Sequence, residues 1–205
     1  YDYMYSAIAD IYTDSNGNNE RDENDFYGLV LDRKSNINVF LWAFDNPIFA
    51  KNAAGELEFT YYANPDKLTD IMDKVIELCN DAEGVLSDIE PGNAVPIFTS
   101  YKALFTSANL HNAVKELTDY EHEYGIVPYP LYDSNQEEYY TMVDGCHSAM
   151  LVTKLSAGDR LEKTGIVTEA LCAETHKQFL PQYYDVALKY KYASSEEDSR
   201  MIDLV

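Results

Sequence analysis

Residues 14–31 read DSNGNNERDENDFYGLVL, a polar stretch rich in Asn, Asp and Gly that leads directly into an apolar one. Large apolar side chains over residues 27–31, bounded by a polar loop, are typical of a buried strand. On the other side of the loop, residues 2–13 carry apolar side chains at intervals of three and four, which predicts a helix. We therefore expect the loop to connect a helix to a strand.

Helices and strands are predicted to alternate along the rest of the chain. The clearest helix covers residues 65–82, because Asn64 can cap it, Pro65 fits the first helical position, and an apolar stripe follows. Residues 37–44 fit a buried strand or a buried helix equally well. Further helices are predicted over 110–124, ending at Gly125, over 165–179, over 183–192 and after Ser194 or Ser195; further strands are predicted over 95–98 and 148–152. This order, without a fixed repeat, indicates an α/β or α+β fold.

The composition excludes some functions. The chain of 205 residues has 36 acidic and 15 basic side chains, a net charge of −21 that disfavours nucleic acids and anionic membrane surfaces. No apolar run is long enough to insert into a membrane. Cys79, Cys146 and Cys172 are widely separated in the sequence. Two alternatives remain: three thiols, or one disulfide bond and one thiol. The chain begins at Tyr1, without a Met, which indicates a piece of a longer protein.

The loop at 14–25 has the spacing of an EF-hand-type calcium loop. Oxygen-bearing side chains stand at loop positions 1, 3, 5, 9 and 12, and position 7 can contribute its backbone carbonyl; these positions are Asp14, Asn16, Asn18, Asp22, Asp25 and, at position 7, Glu20. Calcium suits such a set because it accepts about 6 to 8 oxygen ligands in irregular geometry. Asn replaces the usual Gly at position 6, Asp replaces Glu at position 12, and a strand follows the loop. We therefore expect a solitary, structural calcium site, the alternative being a solvated acidic turn.

Catalytic motifs are absent from the sequence. It contains no Walker A, G-x-G-x-x-G, G-x-S-x-G or H-E-x-x-H pattern, and we expect no enzyme activity. Tyrosines are abundant, and Trp42 is the single tryptophan. Tyr and Trp combine an apolar face with a polar edge, a chemistry that suits a sugar ring.

Three blocks of sequence, in this order, resemble the second half of a family 1 extracellular solute-binding protein, the receptor of a bacterial ABC importer. They are the DSNGNNERDENDFYGL loop, FLWAFDNPIFAKNAAGELEFTYYANPDKLTDIMDKVIELCND, and PIFTSYKALFTSANLHNAV followed by EYGIVPYPLYD and YYTMVDGCHSAMLVTK. Tyr101 departs from the family pattern, since the family usually has a Gly immediately before the lysine that is Lys102 here. Leu110 and His111 stand where many sugar receptors have a Trp.

The resemblance implies part of a three-layer αβα lobe of the periplasmic-binding-protein type II class. Residues 1–126 would supply most of the second lobe, 127–180 the hinge crossing and segments returning to the first lobe, and 181–205 the incomplete C-terminal helices. The solute, a carbohydrate or oligosaccharide, would bind between two lobes at Trp42, Asn46, Asn109, Tyr140 and Asp144. The partners would be the membrane subunits of the transporter, and the location extracellular, with a lipid anchor upstream of Tyr1.

Two other readings are compatible with the residues. The first is a calcium-stabilised surface module that binds a partner protein or matrix without a transport role. The second is a fragment of a carbohydrate-active enzyme, because a chain with 36 acidic residues offers many possible carboxylate pairs.

Overall fold

The computed structural model describes residues 1–32, 38–117, 120–143, 150–153, 158–183 and 195–205. The chain divides into two compact units, Tyr1–His122 with Pro128–Met142, and Glu123–Val127 with Val143–Val205. Helices and strands are mixed, as the sequence predicted. In chain order the first unit contains α1 (Asp2–Ile8), β1 (Tyr12–Thr13), β2 (Phe26–Val30), α2 (Asn38–Ala43), β3 (Phe49–Lys51), β4 (Leu57–Phe59), α3 (Pro65–Ile76), β5 (Val85–Leu86), α4 (Ala94–Thr99), β6 (Ala103–Thr106) and α5 (Leu110–Lys115).

Strand β2 is the centre of the main sheet. It pairs in parallel with β5, placing Leu29 opposite Val85, and in parallel with β6, placing Leu29 opposite Phe105. Strand β1 pairs with the start of β2 in the antiparallel direction. Both faces of β2 are buried, in keeping with its nearly continuous apolar sequence.

Helices cover both faces of this sheet. Leu29 and Leu31 belong to a buried cluster that includes side chains of α1, α2 and α3. Val30 belongs to a second cluster, which includes Ala94 and Ile97 of α4. Because successive strand residues point to opposite faces, the first unit has helices on both sides of its sheet.

Two glycines allow the end of α1 to lie against the sheet. A Cβ atom on Gly28 would lie 2.6 Å from the backbone oxygen of Ile8, and one on Gly84 would lie 1.9 Å from the same atom. The Gly84 N–H also donates a hydrogen bond of 2.6 Å to the Ala9 carbonyl. The prediction of one helix over 2–13 is therefore wrong beyond residue 8, since the chain leaves the helix at this contact and enters β1.

Helix α3 begins as predicted. For residues 37–44 the sequence fitted a strand or a helix, and the structure has a helix there, α2. The Asn64 side chain accepts a hydrogen bond from the Lys67 N–H, and Pro65 occupies the first turn. The long helix changes into a π-helical turn at Glu77–Asp81. Helix α2 ends in a Schellman motif, because Asn46 N–H donates to the Leu41 carbonyl and Asp45 N–H to the Trp42 carbonyl.

Two other predictions in the first unit are wrong. Residues 95–98 form part of helix α4 instead of a strand, because the Asp32 carboxylate accepts hydrogen bonds from the Gly92 and Ala94 N–H groups at the start of that helix. The helix predicted over 110–124 ends at Lys115, where the Glu116 and Leu117 N–H groups both donate to the Asn112 carbonyl. Strands β3 and β4 form a separate hairpin that was not predicted.

The second unit contains helix α6 (Asp159–Glu174), which continues into a π-helical turn at Thr175–Phe179, and helix α7 (Glu196–Leu204). Helix α6 begins six residues before the predicted start at 165. Residues 150–152 form no strand, which corrects the prediction over 148–152 for that part. The predicted helix at 183–192 falls largely outside the described residues.

Candidate functional site

The loop at 14–25 is shaped by side chains that accept hydrogen bonds from its own backbone. Asp14 accepts from the Gly17 N–H at 2.7 Å and from the Asn19 N–H at 2.9 Å. Asn16 accepts from the Asn18 N–H at 2.9 Å. Gly17 and Asn19 have positive φ angles of 71° and 60°, which Gly and Asn tolerate better than other residues. The alternate polar positions of the sequence thus produce successive tight turns.

Three side chains of the predicted calcium set come together at Asp22. Its Oδ2 lies 3.4 Å from the Asn16 amide nitrogen and 3.1 Å from the Asn18 amide nitrogen. Its other oxygen accepts a hydrogen bond of 2.6 Å from the Asn24 N–H. The Asn24 hydrogen bond, together with those from Asn18 and Asn16, lowers the pKa of Asp22 below its usual value, so this carboxylate remains charged.

Asp25 and Glu20 differ in exposure. Asp25 is fully buried and accepts hydrogen bonds from the Tyr12 hydroxyl, the Ser15 N–H and the Asp22 N–H. The exposed Glu20 donates its backbone N–H to the Asn18 side-chain oxygen at 2.8 Å. Asp25 therefore closes the base of the loop.

The residues present fit calcium by the chemistry of the donor set. The loop offers carboxylate and amide oxygens on a backbone that turns at its fourth and sixth positions, where Gly17 and Asn19 stand. Within the described ranges, no three His, Cys, Asp or Glu side chains are close enough to hold a metal ion together. A cation would therefore need amide and backbone oxygens from this loop as well as carboxylates.

The loop is attached to the sheet at the amino ends of its strands. Phe26, the first residue of β2, follows the loop directly. Arg21 donates hydrogen bonds to the Glu83 and Val85 carbonyls at the start of β5. Lys102, immediately before β6, donates to the Glu23 carbonyl and the Asn24 side chain. Sequence reasoning missed Arg21 and Lys102, although Arg21 is the single basic residue of the loop.

Several predicted solute-binding residues follow the parallel strands β2 and β6 in the chain. Trp42 and Asn46 follow β2 in the chain, at and just after the end of α2, and Asn109 follows β6, which pairs with β2 in parallel. The carboxyl edge of an open parallel sheet is where ligands usually bind. Tyr140 is 40% exposed in the segment Pro128–Met142 of the same unit, and Asp144 falls outside the described residues.

Asn46 and Asn109 have different surroundings. Asn46 is 5% exposed, and its buried amide nitrogen has no hydrogen-bond partner among the described residues. The Asn109 side chain instead caps α5 by accepting a hydrogen bond from the Asn112 N–H. The oxygen of Asn109 is thus already engaged, whereas the Asn46 amide retains a donor.

Ser107 and Tyr129 lie near the carboxyl end of β6 and were not predicted. Their hydroxyl groups are hydrogen-bonded to each other, just beyond the end of β6. The Tyr129 ring stands perpendicular to Phe40 of α2 at a centroid distance of 5.2 Å. The sequence signal that could have found Tyr129 is its position between Pro128 and Pro130.

The chain matches no protein-family model, no curated protein and no solved structure. None of the helices in the described part of the chain is long and apolar enough to cross a membrane.

Proposed function

We propose that this chain is part of an extracellular solute-binding receptor of a bacterial ABC importer, and that its solute is a carbohydrate or oligosaccharide. The order of the three sequence blocks supports this proposal, and so does a mainly parallel sheet with helices on both faces. The first unit would form much of one αβα lobe. Solute binding would close two lobes through differential affinity for the closed state.

The observation that carries the proposal is the order of the two candidate sites along the chain, on either side of β2. Trp42 and Asn46 follow its carboxyl end, while the loop at 14–25 precedes its amino end. Solute and cation would therefore bind to segments on either side of β2 in the chain. In this arrangement the cation has a structural role and does not touch the solute.

Calcium in the loop would fix the amino ends of three parallel strands. Asp14, Asn16, Asn18, Asp22 and Asp25 would supply side-chain oxygens, with Glu20 supplying its carbonyl. Hydrogen bonds of Arg21 and Lys102 would connect the ordered loop to β5 and β6. We expect calcium to stabilise the first unit by mass action, because the unfolded loop lacks this arrangement.

The chemistry of Trp42 and Asn46 favours a neutral polyhydroxylated solute. Trp42 is half-buried, so part of its ring can stack against a sugar face. The buried Asn46 amide would gain a hydrogen-bond acceptor from a solute hydroxyl. A buried donor without a partner is costly in the free protein, and a solute oxygen would remove that cost.

The β3–β4 hairpin favours a second candidate, a calcium-stabilised surface module. Four large apolar side chains on and just after this hairpin are more than half exposed: Phe49, Leu57, Phe59 and Tyr62. The ring centroids of Phe49 and Phe59 lie 5.4 Å apart. An exposed apolar patch of this kind is typical of a protein contact surface.

Thermal unfolding of the protein separates the two candidates. We expect calcium to raise the unfolding temperature, and one or more oligosaccharides from a panel to raise it further. Trp42→Ala should lose the rise in unfolding temperature caused by the sugar and keep the rise caused by calcium. Tyr62→Ala, three residues beyond β4, is the matched control and should keep both. Stabilisation by calcium alone across the whole panel would favour the surface module.

A further inference from the structure

An open cavity of about 190 Å³ lies beside strand β5 in the first unit. Among the described strands β5 pairs with β2 alone, so its other side is an edge of the sheet. The cavity walls include apolar, amide and charged side chains: Val85 and Leu86, Asn80, and Arg21 and Asp88. Pockets for drug-sized ligands hold about 300–1,000 Å³, so this cavity suits a smaller molecule.

Arg21 is held in one orientation at this cavity. One guanidinium nitrogen donates to the Glu83 carbonyl at 2.7 Å and to the Val85 carbonyl at 2.6 Å. The guanidinium carbon also lies 5.8 Å from the centre of the Tyr12 ring and 5.4 Å from that of the Tyr27 ring. The other two guanidinium nitrogens have no hydrogen-bond partner among the described residues, so their N–H groups can donate to a ligand.

Asp88 brings the opposite charge to the same cavity. Its side chain is exposed, and within the described ranges its carboxylate makes no hydrogen bond and no ion pair, with Arg21 or with any other residue. Asp88 comes three residues after Val85, whose carbonyl binds Arg21, and three residues span at most about 11 Å. A cation and an anion thus line one small cavity without pairing with each other.

We propose that this cavity binds a small zwitterion of the amino-acid class, with the ligand carboxylate on Arg21 and the ligand ammonium group on Asp88. The chain has a net charge of −21 and repels a simple anion, and Arg21 disfavours a simple cation. A zwitterion has no net charge and finds a partner for each of its charged groups. Hydrogen bonds of about 3 Å at both ends of a short ligand fit the distance available.

The carbon chain of the ligand would lie against Val85 and Leu86. The proposal depends neither on the calcium nor on the solute of the proposed function, because it uses none of their residues. It adds a second ligand class to the first unit.

Titration of the isotope-labelled protein, followed by NMR through its amide chemical shifts, locates binding and measures affinity. The probes are glycine, β-alanine and γ-aminobutyrate, whose two charges are progressively further apart, and a chelator keeps metal ions out. We expect saturable shifts at Arg21 and within residues 79–88, which line the cavity. At least one zwitterion should bind with a Kd of about 1 mM, as expected for a ligand of few atoms.

Propionate and propylamine are the matched control ligands, because each carries one of the two charges. Each should bind about tenfold more weakly than the best zwitterion, the factor for one lost hydrogen bond between charged groups. Propionate or propylamine binding as tightly as the zwitterions would refute recognition of paired charges.

Asp88→Asn removes the charge that would bind the ammonium group and keeps the size of the side chain. Zwitterion affinity should fall about tenfold, while propionate should bind at least as tightly as it does to the parent, because a repelling carboxylate is gone. Glu83→Gln is the matched control, since it removes an exposed charge from the same segment outside the cavity walls. It should change zwitterion affinity less than about twofold, because exposed charges are screened.

Arg21→Gln should weaken both propionate and the zwitterions about tenfold, with circular dichroism as the check on folding. If this variant does not fold, Asp88→Asn decides the question alone. The absence of saturable shifts with all three zwitterions, or shifts that lie away from Arg21 and residues 79–88, would overturn the proposal. Equal zwitterion affinity of Asp88→Asn and the parent would overturn it as well.

Discussion

Asp32 caps a helix that lies 62 positions further along the chain: its Oδ1 accepts a hydrogen bond of 2.9 Å from the backbone N–H of Ala94. Its Oδ2 accepts a second hydrogen bond, of 3.0 Å, from the Gly92 N–H. The residue at the N-cap position of α4, Asn93, makes no side-chain cap hydrogen bond. Asp32 therefore joins the carboxyl end of β2 to the start of α4.

Replacing this distant cap should destabilise the first unit. We expect Asp32→Ala to lower the free energy of unfolding by about 1–2 kcal/mol, the usual range for a lost helix cap. Asp32→Asn keeps one acceptor oxygen and should lose less. Urea denaturation monitored by circular dichroism measures both changes. Equal stability of Asp32→Ala and the parent protein would show that the cap is unimportant.

Gly84 should be the least replaceable glycine of the first unit. An added Cβ would lie 1.9 Å from the Ile8 carbonyl oxygen, and the backbone must move to relieve this overlap. We expect Gly84→Ala to lower the free energy of unfolding by about 3 kcal/mol, at the upper end of the range for overpacking.

Gly165→Ala is the matched control for that substitution. Gly165 lies inside α6, and an added Cβ would meet no atom within 4 Å. Ala should stabilise this helix by about 0.5–1 kcal/mol, because Gly is a poor helix former. If both alanine variants changed stability equally in urea denaturation, the close approach at Gly84 would be refuted.

Asp45 offers a stabilising substitution. It occupies the left-handed position of the Schellman motif with a φ of 52°, a position that Gly adopts without strain. Asp45→Gly should raise the free energy of unfolding by about 1 kcal/mol. Asp45→Ala keeps the strain and should give no such gain. The Lys67 ammonium binds the Asp45 backbone carbonyl, so both variants retain that contact.

Tyr132 should make stability depend on alkaline pH. Its hydroxyl donates a hydrogen bond of 2.6 Å to Asp70, and this bond, with burial, raises the pKa of Tyr132 from 10.0 to about 12. The folded protein therefore holds the phenol proton more tightly than the unfolded chain. The resulting stabilisation is complete below about pH 10 and is lost as the pH rises through about 12.

Denaturation series between about pH 9 and 12 test this effect. Tyr132→Phe should show a shallower loss of stability over that interval than the parent protein. Tyr3→Phe serves as the control, because Tyr3 is 89% exposed, and its profile should follow the parent. Identical profiles for Tyr132→Phe and the parent would mean that the Asp70 hydrogen bond does not hold the proton.

Local sequence signals predicted the elements whose determinants lie within a few residues. Asn64 and Pro65 start α3, and residues 26–30 form β2 next to the polar loop. The turns of that loop follow from Asp14 and Asn16, which bind backbone groups two to five positions away.

The errors have causes that are distant in sequence. Helix α4 depends on Asp32, and the end of α1 depends on the close approach of Gly28 and Gly84. At the candidate site, the burial of Asn46 follows from the Schellman turn that ends α2, while the Asn109 oxygen is used by a helix cap. Residue type and spacing do not contain that information.

Isothermal titration calorimetry of the calcium-saturated protein with an oligosaccharide panel tests the central claim most directly. We predict saturable binding of at least one oligosaccharide, and a loss of about tenfold or more in affinity for Trp42→Ala, consistent with about 1.4 kcal/mol from one stacked ring. Affinity unchanged in Trp42→Ala, or no binding across the panel, would contradict the account.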